Sequence, residues 1–183
     1  MHNRGFTLLE SLVVLALLAV LLSLAVPSLQ SLRRQHQMQS HAQQLQASLL
    51  LARTEALRRQ QRVSLCVRAL VSGAGSECAT SGNWAQGWVM FVDTNGNGRL
   101  EATESIVQRQ GALPAFLSLT GNTTVDRYIS YGPQGRSQST TGAFQAGTLT
   151  LCGVGQNHVW RVVINAVGKP RLEKSARSDN APC

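Results

Sequence analysis

Nineteen consecutive residues, Leu8 to Val26, read LLESLVVLALLAVLLSLAV, and Glu10 is their only ionisable group. As a helix rising about 1.5 Å per residue, the run is roughly 28 Å long, close to one hydrocarbon core. A secretory signal peptide is the rival reading, but its apolar region is usually about 7–15 residues and ends at small residues. This run is longer, has no A-x-A-like site at its end, and Pro27 leads into a further helical pattern. The expectation is a retained membrane helix. Arg4 precedes the run while Arg33 and Arg34 follow it, so counts of positive charge do not orient it.

Glu10 is the anomaly of the run. A carboxylate at the centre of a bilayer costs roughly 2.5–3.5 kcal/mol on insertion scales and calls for a partner. The downstream apolar run supplies no cation. A cut between Gly5 and Phe6 would create an α-amino group four residues from Glu10. Paired between subunits, that amine and the carboxylate would neutralise one another in a low-dielectric assembly.

Met1-His-Asn-Arg-Gly5 followed by Phe6-Thr7-Leu8-Leu9-Glu10 resembles the processing site of type IV prepilins and type II secretion pseudopilins. The resemblance implies that a prepilin peptidase cuts after Gly5, that Phe6 becomes the methylated amino terminus, and that Glu10 guides helix packing in a filament. It also implies a single-pass protein of the inner membrane, with the leader cytoplasmic and the carboxy-terminal domain periplasmic until it joins a pilus or pseudopilus. Pro27 falls where helices of this family commonly bend or melt. The expected divisions are a leader at 1–5, an assembly helix at 6–27, an amphipathic helix at 28–62 and a β-rich head at 63–183.

Residues 28–62 contain neither Gly nor Pro, and Met38, Ala42, Leu45, Leu49, Ala52 and Ala56 recur at spacings of four and three. That is one apolar stripe on a helix. Six arginines against one glutamate between Arg33 and Arg62 read as a solvated face of a helix laid on a sheet. From Val63 the period shifts toward two. Strands are expected at 63–68, 87–93, 104–110, 124–130, 147–152, 158–165 and 171–173, with exposed loops at 111–121 and 132–147. The fold class is therefore α+β, a long amino-terminal helix packed on an antiparallel sheet.

Trp84-Ala-Gln-Gly-Trp88-Val-Met-Phe-Val-Asp93-Thr-Asn95-Gly-Asn97-Gly98, followed by Glu104, narrows the resemblance to the GspH/FimT/FimU group of minor pilins and pseudopilins. The same stretch also meets the calcium-loop spacing D-x-[DN]-x-[DN]-G-x5-E, with Asp93, Asn95, Asn97 and Glu104 as candidate ligands. Against calcium, the flanks read as strands rather than helices. A plain hairpin, with Asn-Gly pairs supplying positive φ, is the preferred reading.

Cysteines stand at 66, 78, 152 and 183. Outside the inner membrane they would be oxidised, and of the three connectivities we expect Cys66–Cys78, closing a short polar loop, and Cys152–Cys183, clamping the tail. No Cys/His spacing fits zinc. No nucleophile elbow, phosphate loop or metalloprotease motif is found, so an enzyme is not expected.

The net charge of +8 favours polyanion partners. Gly168-Lys169-Pro170-Arg171 resembles the G-R-x-R element of DNA-binding FimT-type pilins, with Lys in place of the first Arg. Lys169, Arg171, Lys174 and Arg177 are the candidate DNA contacts, against the plainer reading of a solvated tail. The chain is expected to act as a minor pilin that assembles with other minor and major pilins in a pilus tip or priming complex. The alternative is a secretion pseudopilin with no DNA role.

Overall fold

The computed structural model describes residues 8–69, 77–80, 83–165 and 167–177, with the backbone but not the side chains of 22–28. The expected cleavage site, Gly5 and Phe6, and the tail cysteine, Cys183, lie outside these residues. The chain divides into two compact units, Met1–Gln37 and Met38–Cys183. Helix α1, Leu8–Arg59, belongs to both.

In the first unit, residues 8–21 of α1 are apolar except for Glu10 and Ser11. Val13, Val14 and Leu15 are consecutive, hence about 100° apart, and all three are exposed, at 51%, 47% and 62%. Leu8, Leu12, Leu21 and Leu29 are exposed as well. Among the described residues no helix is long and apolar enough to cross a membrane. The side chains of 22–26, the end of the run that sequence marks as a span, lie outside that description. Helical backbone continues through Pro27, where the family resemblance allows either a bend or a melted turn. A helix-interior proline forfeits one hydrogen bond at a cost of about 3 kcal/mol, which good helix formers on both sides can carry.

In the second unit, Met38, Ala42, Leu45, Leu49, Ala52 and Ala56 are all fully buried, as their spacing predicts. α1 ends three residues short of Arg62, where Gln60 takes a left-handed φ of 55° and its side-chain amide donates to the Leu57 carbonyl at 2.7 Å. Glu55 accepts from Arg58 at 2.7 Å and Arg59 at 2.6 Å. These hydrogen bonds lower its pKa to about 2. The carboxylate therefore reinforces the helix end above its ordinary titration range, and the contribution fades as pH falls toward 2.

The helix covers two four-stranded antiparallel sheets rather than the single sheet expected. One contains β1 (Val63–Val67), β2 (Trp88–Val92), β3 (Ile106–Gln110) and β5 (Tyr128–Tyr131), in the order β3-β2-β1-β5. The other contains β4 (Leu117–Gly121), β6 (Gly147–Gly153), β7 (His158–Ile164) and β8 (Pro170–Ala176), in the order β4-β6-β7-β8. Alternate residues of both sheets, including Leu65, Met90, Ile129, Leu119, Leu151 and Val162, join the helix stripe in one core. Cys66, Val89, Phe91 and Leu100 form a smaller cluster on the far side of the first sheet.

Several strand boundaries differ from the sequence pattern, among them the last, since β8 runs Pro170–Ala176 rather than 171–173. The stretch read as a loop at 111–121 contains β4, whose Leu119 pairs with Leu151. The alternation of Leu117 and Leu119 is too short a signal to show a strand by itself. β5 starts only at Tyr128, because Asn122–Val125 is a turn closed by Val125 N–H donating to the Asn122 carbonyl at 2.8 Å. β3 starts at Ile106, because Glu104 is committed to the preceding turn.

Candidate functional site

The Asp93–Glu104 segment links β2 to β3, and its polar side chains serve its own backbone. Asp93 is buried, and its Oδ2 accepts from Ser64 Oγ at 2.6 Å and from Gly98 N at 3.0 Å. Asn95 Oδ1 accepts from Asn97 N at 3.1 Å, and Asn97 Oδ1 from Arg99 N at 2.8 Å. Glu104 closes the far end, with Oε1 accepting from Thr94 N at 2.9 Å and Oε2 from Glu101 N at 3.1 Å. Gly96 and Gly98 supply φ angles of 74° and 71°. The four residues of the calcium spacing are therefore the formers of a strand-to-strand turn. Among the described residues, no three His, Cys, Asp or Glu side chains are grouped to hold a metal ion.

Arg62, read from sequence as part of a solvated helix face, ties this turn to a second loop. Its Nη1 donates to the carbonyls of Gly96 at 3.2 Å and Ser139 at 3.1 Å. Gln145, buried in that second loop, donates to the carbonyls of Thr124 and Tyr128 and accepts from Ser130 N. Nothing in the local sequence distinguishes Arg62 or Gln145 from their polar neighbours, and only tertiary placement reveals them.

Cys66 and Cys78 form a disulfide, which pins residues 77–79 against β1. The Ala79 N–H donates to the Val67 carbonyl, and Ala69 N–H to that of Glu77, both at 2.8 Å. Cys152 is also disulfide-bonded, and its partner lies outside the described residues.

The four tail cations do not share one face. β8 is an edge strand, and alternation splits it. Leu172 packs toward the core, and Lys174, on the same side, lies opposite Trp160 with its Nζ 5.8 Å from the indole centroid. Arg171 points the other way and donates from Nε to Glu173 Oε1 at 2.7 Å. Lys169 sits in the β7–β8 turn, where its N–H donates to Asn165 Oδ1 at 3.0 Å after Gly168 turns with φ 76°. Arg177 follows the strand, its N–H donating to the Asn157 carbonyl at 3.0 Å. All four are exposed. His158, beside the Lys174–Trp160 pair, is held below its ordinary pKa, first by partial burial and then by the Lys174 charge.

Against known proteins, residues 41–168 match the family model described as "Type II transport protein GspH", and residues 1–26 match the "Prokaryotic N-terminal methylation motif". The chain is 39% identical over 104 residues to the "Pilin-like protein PilA1" of Thermus thermophilus, an alignment spanning 57% of each protein. Its fold is similar to that of the type IV minor pilin FimU of Pseudomonas aeruginosa, with a TM-score of 0.58 and 19% identity over 76% of this chain and 90% of that one. It is also similar to the minor pseudopilin EpsH of Vibrio cholerae, with a TM-score of 0.53 and 17% identity over 79% and 98%.

Proposed function

Because the chain belongs to the GspH family of pilins and pseudopilins, which are structural proteins rather than enzymes, we propose that it is a minor type IV pilin. A prepilin peptidase cuts it after Gly5 and Phe6 becomes the methylated terminus. Residues 6–27 hold it in the inner membrane with the head in the periplasm. It then joins other minor and major pilins in a tip or priming complex. The observation that carries this reading is the exposed helix surface of Leu8 to Leu21, apolar except for Glu10 and Ser11. Such a surface is stable only among lipid or other apolar helices. The match to an N-terminal methylation motif at the same residues supports it. The pilin-like relative favours a pilus over a secretion pseudopilus.

Glu10→Ala tests the assembly role. Processing should proceed normally, while the variant's share in sheared filaments should drop at least tenfold relative to the membrane fraction. Unchanged incorporation would remove Glu10 from assembly. Deleting the gene separates the two machines. Lost surface pili with intact protein secretion selects the pilus, and the reverse selects the pseudopilus.

DNA contact is a second reading, supported by the exposure of Lys169, Arg171, Lys174 and Arg177. Backbone-phosphate contacts make binding salt-dependent and sequence-independent. With all four changed to Ala, the full chain in neutral detergent should bind duplex DNA at least tenfold more weakly at low salt, with a shallower salt dependence. An unchanged affinity would reduce the tail to a solvated surface.

A further inference from the structure

On the far side of the first sheet, away from β8, a cleft of about 220 Å³ opens between the Asp93–Glu104 turn and the start of β5. The Cys66–Cys78 disulfide and Tyr128 wall it, and Arg99 and Arg127 line it from separate loops. We propose that this cleft is an anion site that takes a phosphoryl group.

Both arginines stand on fixed backbone. Arg99 N–H is held by Asn97 Oδ1 at 2.8 Å, and the neighbouring Gly98 N–H by the buried Asp93 carboxylate. The Arg127 carbonyl accepts from Val67 N at 3.0 Å. Tyr128 is fixed too, since its hydroxyl accepts from Thr140 N at 2.9 Å. The backbone beneath both arginines and the phenol wall is thus set before any ligand arrives, and the two exposed arginine side chains are what binding must order.

Its positive charge is only partly met by neighbouring carboxylates. Among the described residues Arg99 has no ion-pair partner, and Arg127 has only its exposed neighbour Asp126 at 3.6 Å. The nearby acids are committed elsewhere: Glu77 to Arg109, and Glu101 to the Asn97 amide. An anion entering the cleft would meet the positive charge of both arginines that line it. Their forked donors suit the several oxygens of a phosphoryl group. The disulfide and phenol ring give an apolar wall for the carbon skeleton of a phosphate ester. This site does not depend on the β8 cations.

The test uses the full chain in neutral detergent at low salt, titrated with inorganic phosphate, thymidine monophosphate and a single-stranded dT12, with binding followed by calorimetry. Saturable binding is expected, about tenfold weaker or worse in Arg99→Ala and in Arg127→Ala. It should be unchanged in Arg136→Ala, an exposed arginine that does not line the cleft, and in the β8 quadruple variant. Tighter binding of dT12 than of the monophosphate identifies a nucleic-acid backbone as the source, and equal binding identifies a free phosphate ester. In the unmutated protein, phosphate should also slow phenylglyoxal modification of Arg99 and Arg127 relative to Arg136, a readout that needs no variant. Absence of saturable phosphate binding, or equal affinity in both cleft variants, overturns the proposal.

Discussion

Gly5→Ala should leave the chain at precursor length, with mature protein falling at least a hundredfold on a gel of membrane fractions. The proposed scissile bond follows Gly5, the last residue of a leader read as MHNRG. A peptidase site built against a residue with no side chain has no room for a Cβ, and a misplacement of about 1 Å at the reacting bond can cost a hundredfold. The head should fold unchanged, because the leader is far in sequence from the core residues, the first of which is Met38. Mature protein at ordinary abundance from this variant would show that the peptidase does not read Gly5. It would also withdraw the methylated Phe6 terminus.

Trp84→Ala should have the largest effect on the head, a loss of about 3–5 kcal/mol, the range for deleting a buried aromatic. Trp84 is fully buried, its ring centroid 6.5 Å from that of Trp88. Its Nε1 donates to the Val125 carbonyl at 2.9 Å, so truncation also strands a buried acceptor. One side chain thereby joins the entry to β2 with the turn before β5. Urea unfolding followed by near-ultraviolet circular dichroism measures the loss. A change below about 1 kcal/mol would mean that the surrounding side chains collapse into the space.

The helix was readable in sequence because its signals are long and local. Six stripe positions from Met38 to Ala56 repeat over five turns, and every one is buried. β1, β2, β6 and β7 were readable for a similar reason, since each is rich in Val, Leu, Ile or Trp and bounded by turn residues. β4 was not, because its two leucines acquire meaning only when Leu119 meets Leu151 of β6. The division into two sheets was hidden as well, since strand order depends on pairings such as Cys66 with Tyr128, sixty-two positions apart.

The turn at Asp93 shows a limit of another kind. Residue types and spacing admitted either a cation or a hairpin, because oxygen side chains accept from backbone N–H groups as readily as they ligate calcium. In the structure the strands on either side bring Asp93 under Gly98 and Glu104 beside Thr94. In the same way, the tail cations share a composition but not a surface. Alternation along β8 places Arg171 beside Glu173 and Lys174 over Trp160.

The Cys66–Cys78 bond also sets how the head carries tension. The two residues are 12 apart in sequence, with their Cα atoms 5.5 Å apart across the bridge. A segment whose stretched length approaches about 40 Å, at about 3.3–3.6 Å per residue, is withheld from extension. Pulled from its ends, the oxidised head yields less length than the reduced one and keeps the Asp93–Glu104 turn anchored behind the bridge.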